Sequence, residues 1–204
     1  MRFTNLFKSS LVVLALSAYS LGAEKAKPVD TKADDSTAKS AAIEHPEKVV
    51  FDAATAFEFL KSLTGNWEQS GGEHDHGSKS HTISYRPTAA GSAVMETIFE
   101  GDPMEMISMY HMNGDDLLLT HYCALQNAPV LKFEKSDKPG EIKFVFQGGT
   151  NFDPTTDMHM HEGIYRVKDA NTIEAAFVGW NDGKAGECST ATRKRVASSE
   201  KAAK

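Results

Sequence analysis

Apolar residues recur along this chain with two different periods, and the change between them falls at Gly65. In FDAATAFEFLKSL, residues Phe51, Ala54, Phe57 and Leu60, with Phe59 and Leu63 beside them, repeat at helical spacing. The pattern predicts one amphipathic helix, with Asp52 as its N-cap and Gly65 as its stop. After Gly65 the runs are short and alternating, which predicts strands at 65–70, 79–85, 92–99, 104–112, 116–123, 129–135, 141–147, 157–167, 172–180 and 186–195. Turn residues separate them, among them Asn113-Gly114, Lys138-Pro139-Gly140, Lys168 to Asn171 and Asn181-Asp182-Gly183. The expected fold is therefore all-β, a roughly ten-stranded antiparallel up-and-down barrel with one N-terminal helix, because closing such a meander removes its exposed edges.

Turn positions fix which side chains share a face. With Asn113-Gly114 as a two-residue turn, Tyr110 pairs with Leu117, Ser108 with Leu119, Met106 with His121 and Met104 with Cys123. That face carries no charge, whereas the opposite one holds Glu105, His111 and Asp116, so Tyr110, His121 and Cys123 are expected inside. A four-residue loop at Lys168 to Asn171 sets His159 opposite Trp180 and His161 opposite Val178, on the side of Tyr165 and away from Glu162 and Arg166. The expected lumen, and the candidate ligand-binding set, is Tyr110, His121, Cys123, His159, His161 and Trp180.

This set admits three chemistries. His121, His159 and His161 form a candidate metal set for zinc or copper, since the i, i+2 pair places two imidazoles on one side of a strand. One of the histidines as an axial ligand makes a haem site. Alternatively, the imidazoles are hydrogen-bonded groups lining a pocket. A second cluster, Glu73-His74-Asp75-His76 with His81, is flanked by Gly71-Gly72 and Gly77-Ser78 and reads as an exposed polar loop. The methionines of MEMISMYHM and MHMH suit either copper or the filling of irregular space. Catalytic signatures are missing: the sequence holds no Gly-x-Ser-x-Gly elbow, no His-Glu-x-x-His and no phosphate-binding glycine loop.

Residues 1–23 read as a secretory signal peptide, with Arg2 and Lys8 ahead of an apolar run at Leu11 to Leu16 and small residues at Ser20, Gly22 and Ala23. The apolar run falls short of the roughly 20 residues needed to span a bilayer. An exported protein, periplasmic or secreted, is the expectation, without stable membrane insertion after cleavage. Residues 24–48 are Ala-, Lys-, Asp- and Ser-rich and read as a disordered spacer, 49–196 as the barrel domain and 197–204 as a tail. The chain has 22 basic and 28 acidic residues. Loss of the leader's two basic residues makes the balance more acidic still, which disfavours nucleic acid and anionic membrane as partners; a small-molecule ligand is the expectation, with a structural or interaction module that has a packed interior and no ligand as the alternative. Export invites a disulfide between Cys123 and Cys188, yet their strands, about the fifth and the tenth, lie nearly opposite in an up-and-down barrel, so two free thiols are expected.

One motif joins the two ends of the barrel. Leu63-Thr64-Gly65-Asn66-Trp67 opens the first strand, and Arg193, Lys194 and Arg195 end the last. This resembles the Gly-x-Trp signature of the calycin superfamily, which includes lipocalins, fatty-acid-binding proteins and nitrobindin-type haem barrels. In those proteins a Trp closes one barrel end beneath an Arg of the final strand, which implies a closure role for Trp67, Arg193 and Arg195. Thr120 to Cys123, Asn127 to Pro129 and the His159/His161 pair are similar to segments of an uncharacterised bacterial family of lipocalin-like domains. That resemblance implies a fold and no activity. Glu68 to Gly72 do not continue the glycine-spaced repeat of the nitrobindin type.

Overall fold

The structure, a computed structural model, describes residues 43–72 and 81–197. The expected leader, most of the spacer, the tail beyond Ala197 and the Glu73 to His76 cluster lie outside them. Ten antiparallel strands close into one barrel in up-and-down order. They are β1 (Gly65–Gly71), β2 (His81–Thr88), β3 (Ala93–Ile98), β4 (Met106–Asn113), β5 (Asp116–Tyr122), β6 (Ala128–Glu134), β7 (Glu141–Thr150), β8 (His159–Asp169), β9 (Thr172–Asn181) and β10 (Lys184–Arg195). β1 pairs with both β2 and β10, so no edge is left open.

Helix α1 (Ala53–Ser62) precedes β1 and plugs one end. Asp52 starts it through a reciprocal cap: its carboxylate accepts from Thr55 N at 2.8 Å, and its own N–H donates to Thr55 Oγ1 at 3.0 Å. These bonds to Thr55 hold the Asp52 carboxyl below its ordinary range. Phe57, Phe59, Leu60 and Leu63 join the barrel core with Trp67 and Ile83. The helix ends against the last strand. Arg195 donates to the carbonyls of Ser62 and Thr64 at 3.0 and 2.7 Å, supplying partners that a helix C-terminus otherwise lacks. Its guanidinium also lies 4.4 Å from the Trp67 ring centroid, and Trp67 Nε1 donates to Leu63 O at 2.8 Å.

Closure therefore belongs to Trp67 and Arg195. Arg193, expected to share that role, sits two residues further into β10, pairs in register with Gln69 and is fully buried in the barrel. Strand alternation explains the difference: residues 189, 191, 193 and 195 share a face, and only the last reaches the helix end.

Two expectations about register change. The β4–β5 turn is centred on Gly114-Asp115, with Asn113 paired to Asp116. Gly114 has φ of 62° while Asp115 does not have positive φ, the pattern of a turn that needs glycine at its first central position. Every pairing moves by two: Tyr110 faces Leu119 and Ser108 faces His121. An even shift preserves the faces, so Tyr110 and His121 remain inside. The β8–β9 connection is tighter than the four-residue loop expected: Asp169 pairs with Thr172, a shift between Val167 and Asp169 sets Tyr165 opposite Ala175 and Glu162, rather than His161, opposite Val178, and a second shift between Met160 and Glu162 restores His159 opposite Trp180. This bulge gives β8 one extra residue at His161 and shifts the alternation before it.

Composition also misplaces the start of the folded body. Ile43 packs against the core, Pro46 is buried in a short 3₁₀ turn, and Gly140 N donates to Val49 O at 2.8 Å. Gly140 has φ of 74°, and a Cβ there meets Glu47 O at 2.9 Å. The segment 43–48 thus belongs to the barrel rather than the spacer.

Arg195→Ala removes the helix-end bonds and the cation over Trp67 while leaving the interior untouched. A loss of about 1–3 kcal/mol is expected in urea denaturation. Arg195→Lys, which keeps the charge but not the forked donors, is expected to recover only part of it.

Candidate functional site

The lumen is built in two halves. The half next to α1 is filled, whereas the opposite half holds a cavity of about 530 Å³. Its lining comes from the loops and strand ends at that end of the barrel: 98–106, 121–125, 158–160 and 177–191, with Gln69, Gly72 and Arg193. The rim is apolar and solvent-facing, since Met104, Leu125 and Met158 retain 44 %, 50 % and 49 % of their surface. Met106, Met160, Ile98, Phe99 and Phe177 form the walls.

A buried polar layer separates the halves. Glu96 on β3 and Arg193 on β10 are both fully buried and form an ion pair. The Glu96 carboxylate collects Arg193 Nη1 and the Tyr85 hydroxyl, 3.2 Å away, on Oε1. The hydroxyls of Tyr110 and Tyr165, the latter 3.2 Å away, converge on Oε2. The Tyr110 and Tyr165 hydroxyls also lie 2.6 Å from each other, so the two phenols and the carboxylate form one hydrogen-bonded cluster. Arg193 Nε donates to Gln69 Oε1 at 2.8 Å, and the guanidinium carbon lies 5.7 and 5.8 Å from the ring centroids of Tyr165 and Phe177. Arg193 Nη2 is buried and has no hydrogen-bond partner among the described residues.

The layer's chemistry follows from dehydration. Burial, reinforced by the Glu96 charge, pushes the Tyr110 and Tyr165 hydroxyls well above their ordinary range, so both stay protonated and donate. Burial opposes the charge on Arg193, but the facing Tyr85 and Glu96 outweigh it and the guanidinium stays charged. Beside this layer, Tyr85, Glu96, Ser108 and His121 are consecutive register partners across four strands. His121 borders the cavity, with Nδ1 3.0 Å from Ser108 Oγ. Burial pushes it down to about 4, so the imidazole is neutral at physiological pH.

The expected binding set is divided by the structure. His121, Cys123 and His159 border the cavity. Tyr110 lies beneath its floor, in the polar layer. Trp180 is on the opposite face of β9 from Phe177 and Gly179, which line the cavity, and stacks on His161 with centroids 4.3 Å apart. β7 and β8 pair only as far as Val145 and Glu162; beyond that, Phe146, Phe152, His159, His161 and Trp180 pack together as rings. The β8 bulge accounts for this, turning Met158 and Met160 toward the cavity where alternation alone points His161.

The three imidazoles proposed as a metal set are not assembled. Among the described residues, no three His, Cys, Asp or Glu side chains gather around one point. His159 Nδ1 lies 2.8 Å from the Asp157 carbonyl, to which it can only donate, and in the neutral ring Nε2 accepts from His161 Nδ1 at 3.1 Å. Both His159 nitrogens are thereby used. His121 is held separately by Ser108. Cys123 and Cys188 are free thiols. Burial raises the Cys123 thiol, whose sulfur lies 3.9 Å from Met106 Sδ, so the Cys123–His121 pair has the character of inert packing rather than of an activated nucleophile.

The floor of the cavity lies outside the residues that alternation and turn positions bring together. Glu96 stands in the run Val94-Met95-Glu96-Thr97-Ile98, an acid in an otherwise apolar strand, and Arg193 shares its face with the buried Ala191. An isolated acid and an isolated base, each at an inward register position, constitute the signal.

A neutral buried His121 contributes nothing to the pH dependence of stability above about pH 6.5, where folded and unfolded chains are alike. Between about pH 6.5 and 4 the unfolded chain binds the proton that the folded one refuses, so stability falls as pH drops, by on the order of 3 kcal/mol in total. His121→Gln is expected to remove this component. Urea midpoints of both proteins near pH 7 and pH 4.5 check it: the wild type should lose roughly 2–3 kcal/mol more than the variant. No family model and no curated protein matches this chain.

Proposed function

We propose that this protein is an exported binding protein for a small apolar molecule carrying one hydrogen-bond-accepting head, and that it works in the periplasm or after secretion. The observation that carries the reading is an apolar-walled cavity of about 530 Å³ whose lining includes Arg193, a buried arginine with one nitrogen, Nη2, left without a hydrogen-bond partner among the described residues. A buried donor without a partner costs about 1–3 kcal/mol, so an acceptor reaching it from the cavity recovers that loss. Ligand pockets have this form: a volume of a few hundred cubic ångströms, mostly apolar walls, and a few fixed polar groups that set orientation. Kinship with calycin barrels is part of the same proposal, supported by closure of ten strands around Trp67 and Arg195. The acidic balance supports a partner other than nucleic acid.

The experiment is titration with a neutral environment-sensitive dye, N-phenyl-1-naphthylamine, against the wild type and Gly179→Leu. Gly179 borders the cavity, and a Cβ there meets Met158 Cε at 3.7 Å and His159 O at 3.9 Å, both ordinary contacts, so leucine adds apolar bulk at the cavity wall. Saturable binding by the wild type and at least about tenfold weaker binding by the variant, at unchanged thermal stability, are expected. Absence of dye binding by the wild type, or equal binding by a folded variant, overturns the proposal.

A further inference from the structure

The polar layer beneath the cavity decides which heads it accepts. Its two charges already belong to each other: Arg193 Nη1 is bound to Glu96, and the carboxylate oxygens are further engaged by the hydroxyls of Tyr85, Tyr110 and Tyr165, the last two also bonded to each other. What remains for a ligand is one nitrogen of a guanidinium whose charge is compensated. Among the described residues lining the cavity, the only other acidic or basic side chain besides the two histidines is Glu187, which is exposed. His121 is neutral, and His159 spends its nitrogens on Asp157 and His161.

A carboxylate entering this cavity passes Glu187 and becomes a second anion beside Glu96, sharing one guanidinium in a dehydrated interior. Such a three-charge arrangement leaves one negative charge uncompensated where water cannot screen it. A ketone or ester carbonyl accepts the same Nη2 hydrogen bond without that burden and gives up far less hydration on entering. We infer that the cavity selects ligands with an uncharged carbonyl head over carboxylates of the same chain length, and that Glu96 is the residue that sets this preference. Glu96 acts through Arg193; it is a positioning and charge-compensating residue, and its own oxygens are occupied. The inference rests on the binding function proposed above.

The test is competition for bound N-phenyl-1-naphthylamine near pH 7.5 by 2-undecanone, methyl decanoate and decanoate, each below its aggregation threshold. In the wild type, the ketone and the ester are expected to displace the dye at least about tenfold more effectively than decanoate. Glu96→Gln leaves Arg193 uncompensated, so decanoate is expected to gain at least about tenfold relative to the ketone. Thermal unfolding shows whether the variant is folded, and the wild-type series stands without it. Decanoate equal to or better than the ketone in the wild type overturns the inference while leaving the binding function intact. Displacement by none of the three overturns it too. Failure of the dye itself to bind overturns the binding function, and the inference with it. An unchanged ketone-to-carboxylate ratio in a folded Glu96→Gln variant removes Glu96 from the assignment.

Discussion

The pairing of Arg193 with Glu96 is the constraint around which the barrel is organised. Two charges out of water are tolerable only when most of their remaining hydrogen-bonding capacity is met, and here all but Arg193 Nη2 is met, from four strands: Gln69 on β1, Tyr85 on β2, Tyr110 on β4 and Tyr165 on β8. Each must arrive at the same depth. A slip of any of these strands by one residue turns its contributor outward and strands a charge in the interior. The pair therefore ties the middle of the chain to its end, across 97 positions, through registers that only the closed barrel satisfies. It also fixes how far the apolar filling extends: below it the lumen is packed by aromatic and aliphatic side chains, above it the space is open.

Closure at the helix end works on a different principle. Trp67 supplies volume and Arg195 supplies donors, and the same guanidinium that lies over the indole also meets the carbonyls with which α1 terminates. One residue thus joins the first helix, the first strand and the last strand. The two arginines of β10 differ in every respect that matters electrostatically: Arg193 is sealed among tyrosines, whereas Arg195 is partly exposed and, with its charge opposed by burial, held somewhat below its ordinary range.

Much of the fold was legible because turns are written in glycine, proline and asparagine, and because alternation survives errors of two. Turn chemistry places ten strands close to their observed limits, and alternation puts His121 and Ser108 inward even with each cross-strand partner displaced by two positions. An odd error has no such protection. The extra residue at the β8 bulge leaves no mark in DMHMHEGIY, yet it moves Met158 and Met160 to the cavity and His161 against Trp180. Arg193 enters the closure set through the resemblance to Gly-x-Trp barrels, which implies an Arg of the final strand and fits Arg193 and Arg195 alike; nothing local reveals that Glu96, far away in sequence, lies on the same layer as Arg193. The binding face was thus half visible: its wall came from alternation, its floor from a long-range charge pair.

Because β1 begins and β10 ends at the helix-closed end, the chain enters and leaves the barrel on the same side. Ile43 and the 3₁₀ turn at Pro46 to Lys48 pack there, and Val196 N donates to Asn66 O at 2.8 Å. The mouth is at the other pole, ringed by Met104, Leu125 and Met158. A surface attachment made at residue 43 or at residue 197 consequently sits at the pole opposite the mouth and faces away from the ligand's path. The geometry gives the barrel a handle and an opening on opposite sides, whatever holds the handle.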